Sequence, residues 1–205
     1  MLSTMTTDSA TGRDRSASTR ERLLDAAVEA FATSGFAGTT TRDIASRAGM
    51  SPAAVYVHHA TKEDLLFEIS RRGHRSAVQI IEKASQSSPD PVEQVRNMVA
   101  EFSRWHAVNS RVGRIVQYEF DALTPEHRAE IAEYRRAIEA LMRDALEAGV
   151  EAGTMTVSDA KGTALALLSL SIDLVRWYHP SGATTPDEIA SLHGDLALRM
   201  VGAAA

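Results

Sequence analysis

Residues 39–58 carry several side chains whose chemistry suits phosphate binding. Threonine hydroxyls, a guanidinium, a phenol and an imidazole all form hydrogen bonds to phosphate oxygens. Some of them stand next to predicted helix N-termini, whose free N–H groups attract anions as well. The candidates are Thr39, Thr40, Arg42, Tyr56 and His58.

These side chains are positioned by two short predicted helices and a tight turn between them. Ala45 is small enough for a second helix to cross close by, and Gly49 stands where the turn requires positive φ. Ser51 is a good cap for the second helix, and Pro52 suits its first position. Val55 packs across the angle between the helices. The pattern predicts a helix-turn-helix, whose second helix enters the major groove of DNA, although an ordinary helix hairpin shows the same spacing.

The second predicted helix offers few long hydrogen-bond donors to base edges. The residues expected to face the bases are Ser51, Pro52, Ala53 and Ala54. Base recognition would then depend on apolar contact with thymine methyl groups, on Tyr56 and on DNA shape.

Residues 19–66 resemble the DNA-binding domain of the TetR family of transcriptional repressors. The resemblance rests on an ordered set of residues: Arg22 to Ala27, Phe31, Gly35-Phe36, Thr39-Thr40, Arg42 to Ala45, Ala48-Gly49, Ser51, Tyr56, His58, and Lys62 with Leu65-Leu66. It implies that Lys62 contacts the DNA backbone. Two positions depart from the common pattern, with Pro52 where many relatives have Lys and His59 where many have Phe. His59 is interpreted either as a buried substitute for that Phe or as a direct DNA contact.

The length of 205 residues agrees with one large domain or two small ones. Hydrophobic residues make up 44% of the chain, which is enough to form a core. Without cysteine, disulfides and Cys-ligated metals are excluded. The net charge is −5, but residues 1–83 carry 11 basic and 10 acidic side chains, so the acidic excess lies in residues 84–205. No apolar run reaches the roughly 20 residues of a membrane span, and no secretion signal is present, so we expect a cytoplasmic protein.

Helical periodicity predicts an all-α fold with two domains. We expect a disordered tail over residues 1–17, a DNA-binding domain over 18–78, and a larger helical ligand-binding and dimerisation domain over 79–205. The first helix is predicted over residues 19–34, ending at Gly35. A single helix is predicted from Ser158 to the break at residues 177–182, followed by a last helix over 186–202.

The larger domain is expected to hold a small, largely apolar effector, either free or as an acyl-CoA thioester. The predicted lining is Met98, Phe102, Trp105, Tyr118, Tyr134, Met142, Leu168, Ile172, Arg176 and Trp177, although such residues also form ordinary cores. Residues 175–182 resemble the end of the penultimate helix in a TetR branch that senses lipid or sterol breakdown products as CoA thioesters. Leu168 and Ile172 stand where some of those proteins have Arg and Trp, which favours a more apolar effector. The motif is also compatible with a purely structural role.

The last helix has two faces to bury, which suggests a subunit interface. One stripe is small and the other large, and together they comprise Ile189, Ala190, Leu192, Gly194, Leu196 and Ala197. In the TetR family the last two helices of each protomer form a four-helix bundle across a two-fold axis, and the resemblance implies the same homodimer here.

Catalysis, a metal and a cofactor are not expected. His58 and His59 are adjacent, so their side chains diverge on a helix, and no hydrolase, metalloprotease or nucleotide-binding motif occurs. The sequence predicts a homodimeric repressor that a small apolar effector releases from a palindromic operator. Two alternatives remain: a helical carrier or enzyme that no longer binds DNA, and a TetR-like activator.

Overall fold

The computed structural model describes residues 8–58 and 61–203, and it describes side chains within these ranges except those of residues 8–17 and 56–58. This part of the chain is helical and contains no strand, which confirms the all-α prediction. The elements are α1 (Asp8–Gly38), α2 (Thr41–Arg47), α3 (Pro52–His58), α4 (Lys62–Ser85), α5 (Pro91–Val108), α6 (Ser110–Tyr118), a 3₁₀ turn (Phe120–Ala122), α7 (Pro125–Glu151), α8 (Ala160–Ile172), α9 (Leu174–Trp177) and α10 (Pro186–Met200). Among these helices, none is both long and apolar enough to cross a membrane.

The first helix differs from the prediction at its start. It begins at Asp8 rather than at Thr19, so residues 8–17, assigned to a disordered tail, are helical. Extension is physically reasonable because each residue added to an existing helix brings one further hydrogen bond. The predicted interruption at Gly35 is present, since this residue has φ 69° and ψ 169°.

Threonine caps start several helices and fix where the chain turns. Thr40 and Asp43 form a capping box at α2, and Thr61 and Asp64 form another at α4. In each box the hydroxyl accepts from a backbone N–H while the aspartate accepts from the N-cap N–H. These bonds satisfy amides that the first helical turn leaves free, and the cap at Thr40 confirms the helix start predicted beside it.

The region after Ser158 contains a break that the sequence did not indicate. α8 ends at Ile172, and α9 begins at Leu174 and lasts four residues. Arg176 N–H bonds the Asp173 carbonyl at 3.0 Å, a tighter i to i+3 bond than an α-helix makes. The prediction of one continuous helix is therefore wrong.

Two buried cores meet along α4. The first holds Leu23, Ile44, Val55 and Leu65 from α1 to α4, with Ile115 of α6 packed into it. The second joins α4, α5, α7, α8 and α10, and its fully buried side chains include Ile81, Met98, Met142, Leu146 and Leu167. Because α4 contributes to both, a displacement of this helix affects both cores.

A polar contact ties the start of α4 to the start of α7. Glu63 Oε1 accepts from the backbone N–H of Thr124 at 2.9 Å and lies 2.8 Å from His127 Nδ1. The His127 ring stacks on Phe67 with 3.7 Å between centroids. The end of α4 nearest the helix-turn-helix is thus held by the larger helical region.

α10 packs mainly on α5 of the same protomer, and this corrects four predicted interface residues. Ile189, Ala190, Gly194 and Ala197 are buried inside the protomer. A Cβ on Gly194 would lie 3.2 Å from Arg96 Cγ and 3.3 Å from Arg96 O, so this glycine permits close helix packing. The small stripe is used within the chain, and a subunit contact on it is not available. Leu192 is 53% exposed and Leu196 is partly exposed.

A close approach of α6 to α9 gives a testable stability prediction. An ideal Cβ on Gly113 would lie 2.7 Å from Cγ1 of Val175, a buried and stiff β-branched side chain. Gly113→Ala should lower the free energy of unfolding by about 1–3 kcal/mol in urea titration. Gly73→Ala is the matched control, since its nearest atoms are 3.8 Å away, and it should stabilise the helix by about 0.5–1 kcal/mol. Equal stability of both variants would contradict this packing.

Candidate nucleic-acid interface and adjoining cavity

The turn between α2 and α3 is closed by backbone hydrogen bonds. Met50 N–H donates to Ala45 O at 2.9 Å, and Gly49 N–H donates to Ser46 O at 3.1 Å. Gly49 has φ 66°, as predicted. These bonds satisfy the last carbonyls of α2 and direct the chain into α3, as in other glycine-terminated helices.

Further contacts fix the orientation of α3. Ser51 Oγ accepts from Ala54 N–H at 3.3 Å, which confirms the predicted cap. Arg22 Nη2 donates to Ala48 O at 2.6 Å and so ties α1 to the turn. Ile44 and Val55 are fully buried across the angle between the helices. The result is a rigid helix-turn-helix whose second helix presents its other face outward.

The outward face of this motif carries most of the predicted DNA contacts. Thr40, Arg42, Ser51, Pro52 and Ala53 are exposed, and Ala54 is partly exposed. Thr40 is already used as a helix cap, with its hydroxyl donating to Asp43 Oδ2 at 2.6 Å. These bonds to Thr40 lower the pKa of the Asp43 carboxyl. Arg42 is an exposed cation of α2 that is available to a phosphate.

Thr39 is not placed for the phosphate contact predicted for it. Its side chain is 2% exposed, and its hydroxyl donates to the Gly35 carbonyl at 2.7 Å. The same hydroxyl lies 3.2 Å from the Ala30 carbonyl. Thr39 instead joins the end of α1 to the start of α2, so the prediction of a DNA contact through its hydroxyl is wrong.

Lys62 also has a structural contact that the sequence did not reveal. Its ammonium donates to Phe36 O at 2.7 Å and to Thr39 O at 2.8 Å, and it lies 4.3 Å from the centre of the Phe36 ring. An ammonium has three N–H donors, so one is left for a phosphate. Lys62 therefore locks α4 to the end of α1, and its predicted backbone contact stays a prediction.

The structure does not describe the side chains of three residues predicted for the recognition region. The backbone of Tyr56 and His58 belongs to α3, but their side chains are outside the described set. His59 lies outside the described residues altogether. Their proposed contacts stay predictions.

A cavity of about 230 Å³ lies between α4, α5, α6, α7 and α8. Its apolar lining comprises Ala77, Phe102, Trp105, Val116, Ile138, Leu165, Leu168 and Ile172. Four of these residues, Phe102, Trp105, Leu168 and Ile172, belong to the lining predicted from the sequence. A mostly apolar concave site with a few polar groups is typical of small-molecule binding.

The other predicted lining residues lie elsewhere. Met98 and Met142 are fully buried in the second core, as the alternative of an ordinary core expected. Tyr134 packs against the first core, and Tyr118 is 58% exposed. Arg176 lies at the surface, where it pairs with Asp173 at 3.0 Å, and Trp177 is 47% exposed. Helical spacing predicted apolar residues here but could not separate a filled core from the wall of a cavity.

The motif at residues 175–182 takes the structural role that the sequence left open. Tyr178 is 5% exposed and packs with Ala107, Leu174 and Ile189. This cluster anchors the chain between α9 and α10, and no residue of the motif, all of which is described, lines the cavity.

The polar groups of the cavity were missed by the sequence analysis. They include His74, His106, Arg135 and Glu139. Burial lowers the pKa of both imidazoles to about 4, and it lowers the pKa of the Arg135 guanidinium as well. A sequence signal existed, because both histidines lie on apolar helical faces: Ala77 and Ile81 follow His74 by three and seven residues, and Phe102 precedes His106 by four. The cavity thus combines two neutral imidazoles with an arginine.

Comparison with known proteins agrees with this arrangement. Residues 23–69 match the description "Bacterial regulatory proteins, tetR family", and residues 88–201 match "Tetracyclin repressor-like, C-terminal domain". The HTH-type transcriptional repressor KstR2 of Rhodococcus jostii is 27% identical over 183 residues, covering 87% of this chain and 89% of that protein.

Two solved structures are similar over nearly their whole length. A regulatory protein in the tetR family from Rhodococcus RHA1 has a TM-score of 0.87 and 41% identity, covering 91% of this chain and 98% of the other. The TetR family regulator PfmR from Thermus thermophilus has a TM-score of 0.82 and 31% identity, covering 87% and 97%.

Proposed function

Because the chain belongs to the TetR family of DNA-binding transcriptional regulators, we propose that it is a homodimeric repressor released from a palindromic operator by a small effector. The observation that carries this proposal is the capped and exposed face of α2 and α3, joined through α4 to a cavity of effector size. The similarity to the repressor KstR2 supports repression rather than activation.

The outer face of α10 is the proposed dimer interface. Leu192 on α10 is 53% exposed, and Met200 follows it by about two helical turns at 47%. Leu196 lies between them and is partly exposed. Exposed apolar side chains aligned on one face of a helix are typical of a covered surface. A two-fold axis through this face would bring the same patch of the two protomers into contact.

Effector binding is proposed to act on the position of α4. Gly73, His74 and Ala77 of this helix line the cavity, and its first residue, Lys62, bonds the end of α1. An effector that binds a displaced form of α4 more tightly would change the separation of the two recognition helices. A preference of about 2–3 kcal/mol changes operator affinity roughly a hundredfold.

The direct test is a gel shift with DNA from upstream of the protein's own gene, with and without competitor DNA. We expect one retarded species whose footprint covers two inverted half-sites about one helical turn apart. Binding with no preference over competitor, or no binding, would favour the carrier or enzyme alternative. A reporter gene placed behind the same site separates repression from activation.

Removal of one exposed cation should weaken binding to every DNA sequence. Arg42→Ala should lower affinity about tenfold and reduce the slope of log affinity against log salt by about 1. Arg75→Ala is the matched control, because it removes the same charge from an exposed position on α4. Fluorescence anisotropy over a salt series measures both quantities. Equal effects of the two variants would place the DNA on another face.

A further inference from the structure

The cavity holds an arginine without a carboxylate partner. Arg135 and Glu139 stand four residues apart on α7, a spacing that usually allows an ion pair. Within the described residues, however, no carboxylate oxygen lies within 4.0 Å of the Arg135 guanidinium. Glu139 instead lies 3.4 Å from Arg143, which balances its charge. The cation of Arg135 is thus left uncompensated at a partly buried site.

Arg135 lines the cavity, and two neutral groups hold its side chain. Its Nε–H donates to His74 Nε2 at 3.2 Å, and its guanidinium lies 4.1 Å from the centre of the Phe120 ring. A guanidinium has five N–H donors in a fixed fork. The bond to His74 uses one of them, so the others can bind a carboxylate in the bidentate geometry that arginine favours.

The tautomer of His74 follows from its partners. Nδ1 lies 2.8 Å from the Ser70 carbonyl oxygen, which can only accept, so Nδ1 carries the proton. Nε2 is then a lone-pair acceptor, as the bond from Arg135 requires. The low pKa of this buried imidazole agrees with a neutral ring.

His106 has the same tautomer but an unused acceptor. Its Nδ1 lies 2.8 Å from the Phe102 carbonyl oxygen, so its Nε2 also bears a lone pair. His106 is 6% exposed and lines the cavity, and its Nε2 has no hydrogen-bond partner among the described residues. A buried acceptor without a donor is unfavourable, and a ligand with an O–H or N–H group would supply that donor.

The size of the cavity limits the apolar part of the ligand. A volume of about 230 Å³ is below the roughly 300–1,000 Å³ of sites for drug-sized ligands. A single ring with a short chain, or a medium-length aliphatic chain, is therefore a better match than a polycyclic skeleton.

We propose that the effector is a compact apolar carboxylic acid bearing a hydroxyl group, with its carboxylate on Arg135 and its hydroxyl donating to His106 Nε2. This inference rests on the proposed function for its regulatory meaning, but the site itself does not depend on DNA binding. Arg176, the arginine of the lining predicted from the sequence, lies at the surface instead.

The test uses two matched series of probes with the full-length protein and without DNA. The first comprises 3-(4-hydroxyphenyl)propionate, 3-phenylpropionate and 3-(4-hydroxyphenyl)propanamide. The second comprises 10-hydroxydecanoate, decanoate and 1,10-decanediol. Binding is measured by calorimetry and by quenching of Trp105 in a Trp177→Phe background, which leaves one tryptophan.

In at least one series the hydroxy acid should bind best, and loss of the negative charge should weaken binding about 10- to 100-fold. Arg135→Gln should abolish the preference for the acid over its neutral counterpart. His106→Phe should abolish only the preference for the hydroxylated acid. Arg136→Gln, which removes an exposed cation on the same helix, should change neither preference.

Several results would overturn the inference. These are equal binding of acid and neutral probe by the parent protein, an acid preference that persists in Arg135→Gln, and no binding of either series below about 1 mM. Decanoyl-CoA is included as a further probe, because tight binding that Arg135→Gln leaves unchanged would assign the cavity to the acyl chain of a thioester. Circular dichroism checks that each variant is folded. Arg135→Lys keeps the positive charge but lacks the planar guanidinium, and so serves as a second, milder variant.

The outcome is separable from that of the proposed function. If a hydroxy acid binds as described but does not release the protein from operator DNA, the ligand class proposed for the cavity is confirmed. The proposal that this ligand acts by releasing the operator is then wrong. If the protein binds no operator, the proposed function fails while the probe series still reports on the cavity.

Discussion

Leu192→Glu is expected to separate the protomers and to reduce operator affinity at least a hundredfold. Leu192 is 53% exposed in one protomer, so the substitution does not disturb the packing of α10 on α5. In a two-fold interface it would bring two carboxylates into a desolvated contact. A cost of about 4 kcal/mol weakens dimerisation about a thousandfold, and a single protomer reaches only one half-site.

Sedimentation and gel shift check this expectation together. Gln79→Glu adds the same charge at an exposed position of α4 and should leave both the dimer and operator binding unchanged. Gly194→Glu should behave differently from both, since a side chain there meets Arg96 within the protomer and should lower folding stability. An intact Leu192→Glu dimer would move the interface to another surface.

Leu168→Trp is expected to remove effector response while leaving operator binding intact. Leu168 is 6% exposed and lines the cavity from α8, so the larger side chain has space to enter it. Loss of that space should weaken effector binding at least a hundredfold, because an overpacked site costs about 1–3 kcal/mol in addition to the lost ligand contacts.

Calorimetry with any compound that releases operator from the parent protein measures this effect. Leu168→Met, which nearly conserves volume, should keep the response. If Leu168→Trp still responds fully, the effector binds elsewhere. If the variant no longer binds operator, occupation of the cavity by any side chain is sufficient to switch the protein.

The helix-turn-helix could be predicted closely because its signals are local. Gly49, Ser51 and the capping threonines act on their own turn of the chain, so their residue types and spacing define the geometry. The structural uses of Thr39 and Lys62 depended on carbonyls at the end of α1. Such contacts arise only after the helices pack, and no local pattern contains them.

The cavity was less predictable because it depends on where packing is incomplete. Phe102 and Met98 lie on the same helical face and both belong to the second core, yet only Phe102 also lines the cavity. The buried polar residues His74 and His106 were visible as breaks in an apolar stripe. Only the buried part of α10 was assigned to the wrong neighbour, since a small stripe suits close packing against α5 as well as against a second protomer.

The length of α4 has a mechanical consequence. Its 24 residues form a rod of about 36 Å, with Ile81 fully buried near one end and Lys62 at the other. If the rod turns about Ile81, His74 lies about 10 Å from the fulcrum and Lys62 about 28 Å. A displacement of about 1 Å at the cavity then becomes nearly 3 Å at Lys62, by the ratio of these lever arms. Lys62 bonds the end of α1 and Glu63 bonds the start of α7, so such a turn would have to move these neighbours or break their contacts. A compact ligand would then gain leverage out of proportion to its size.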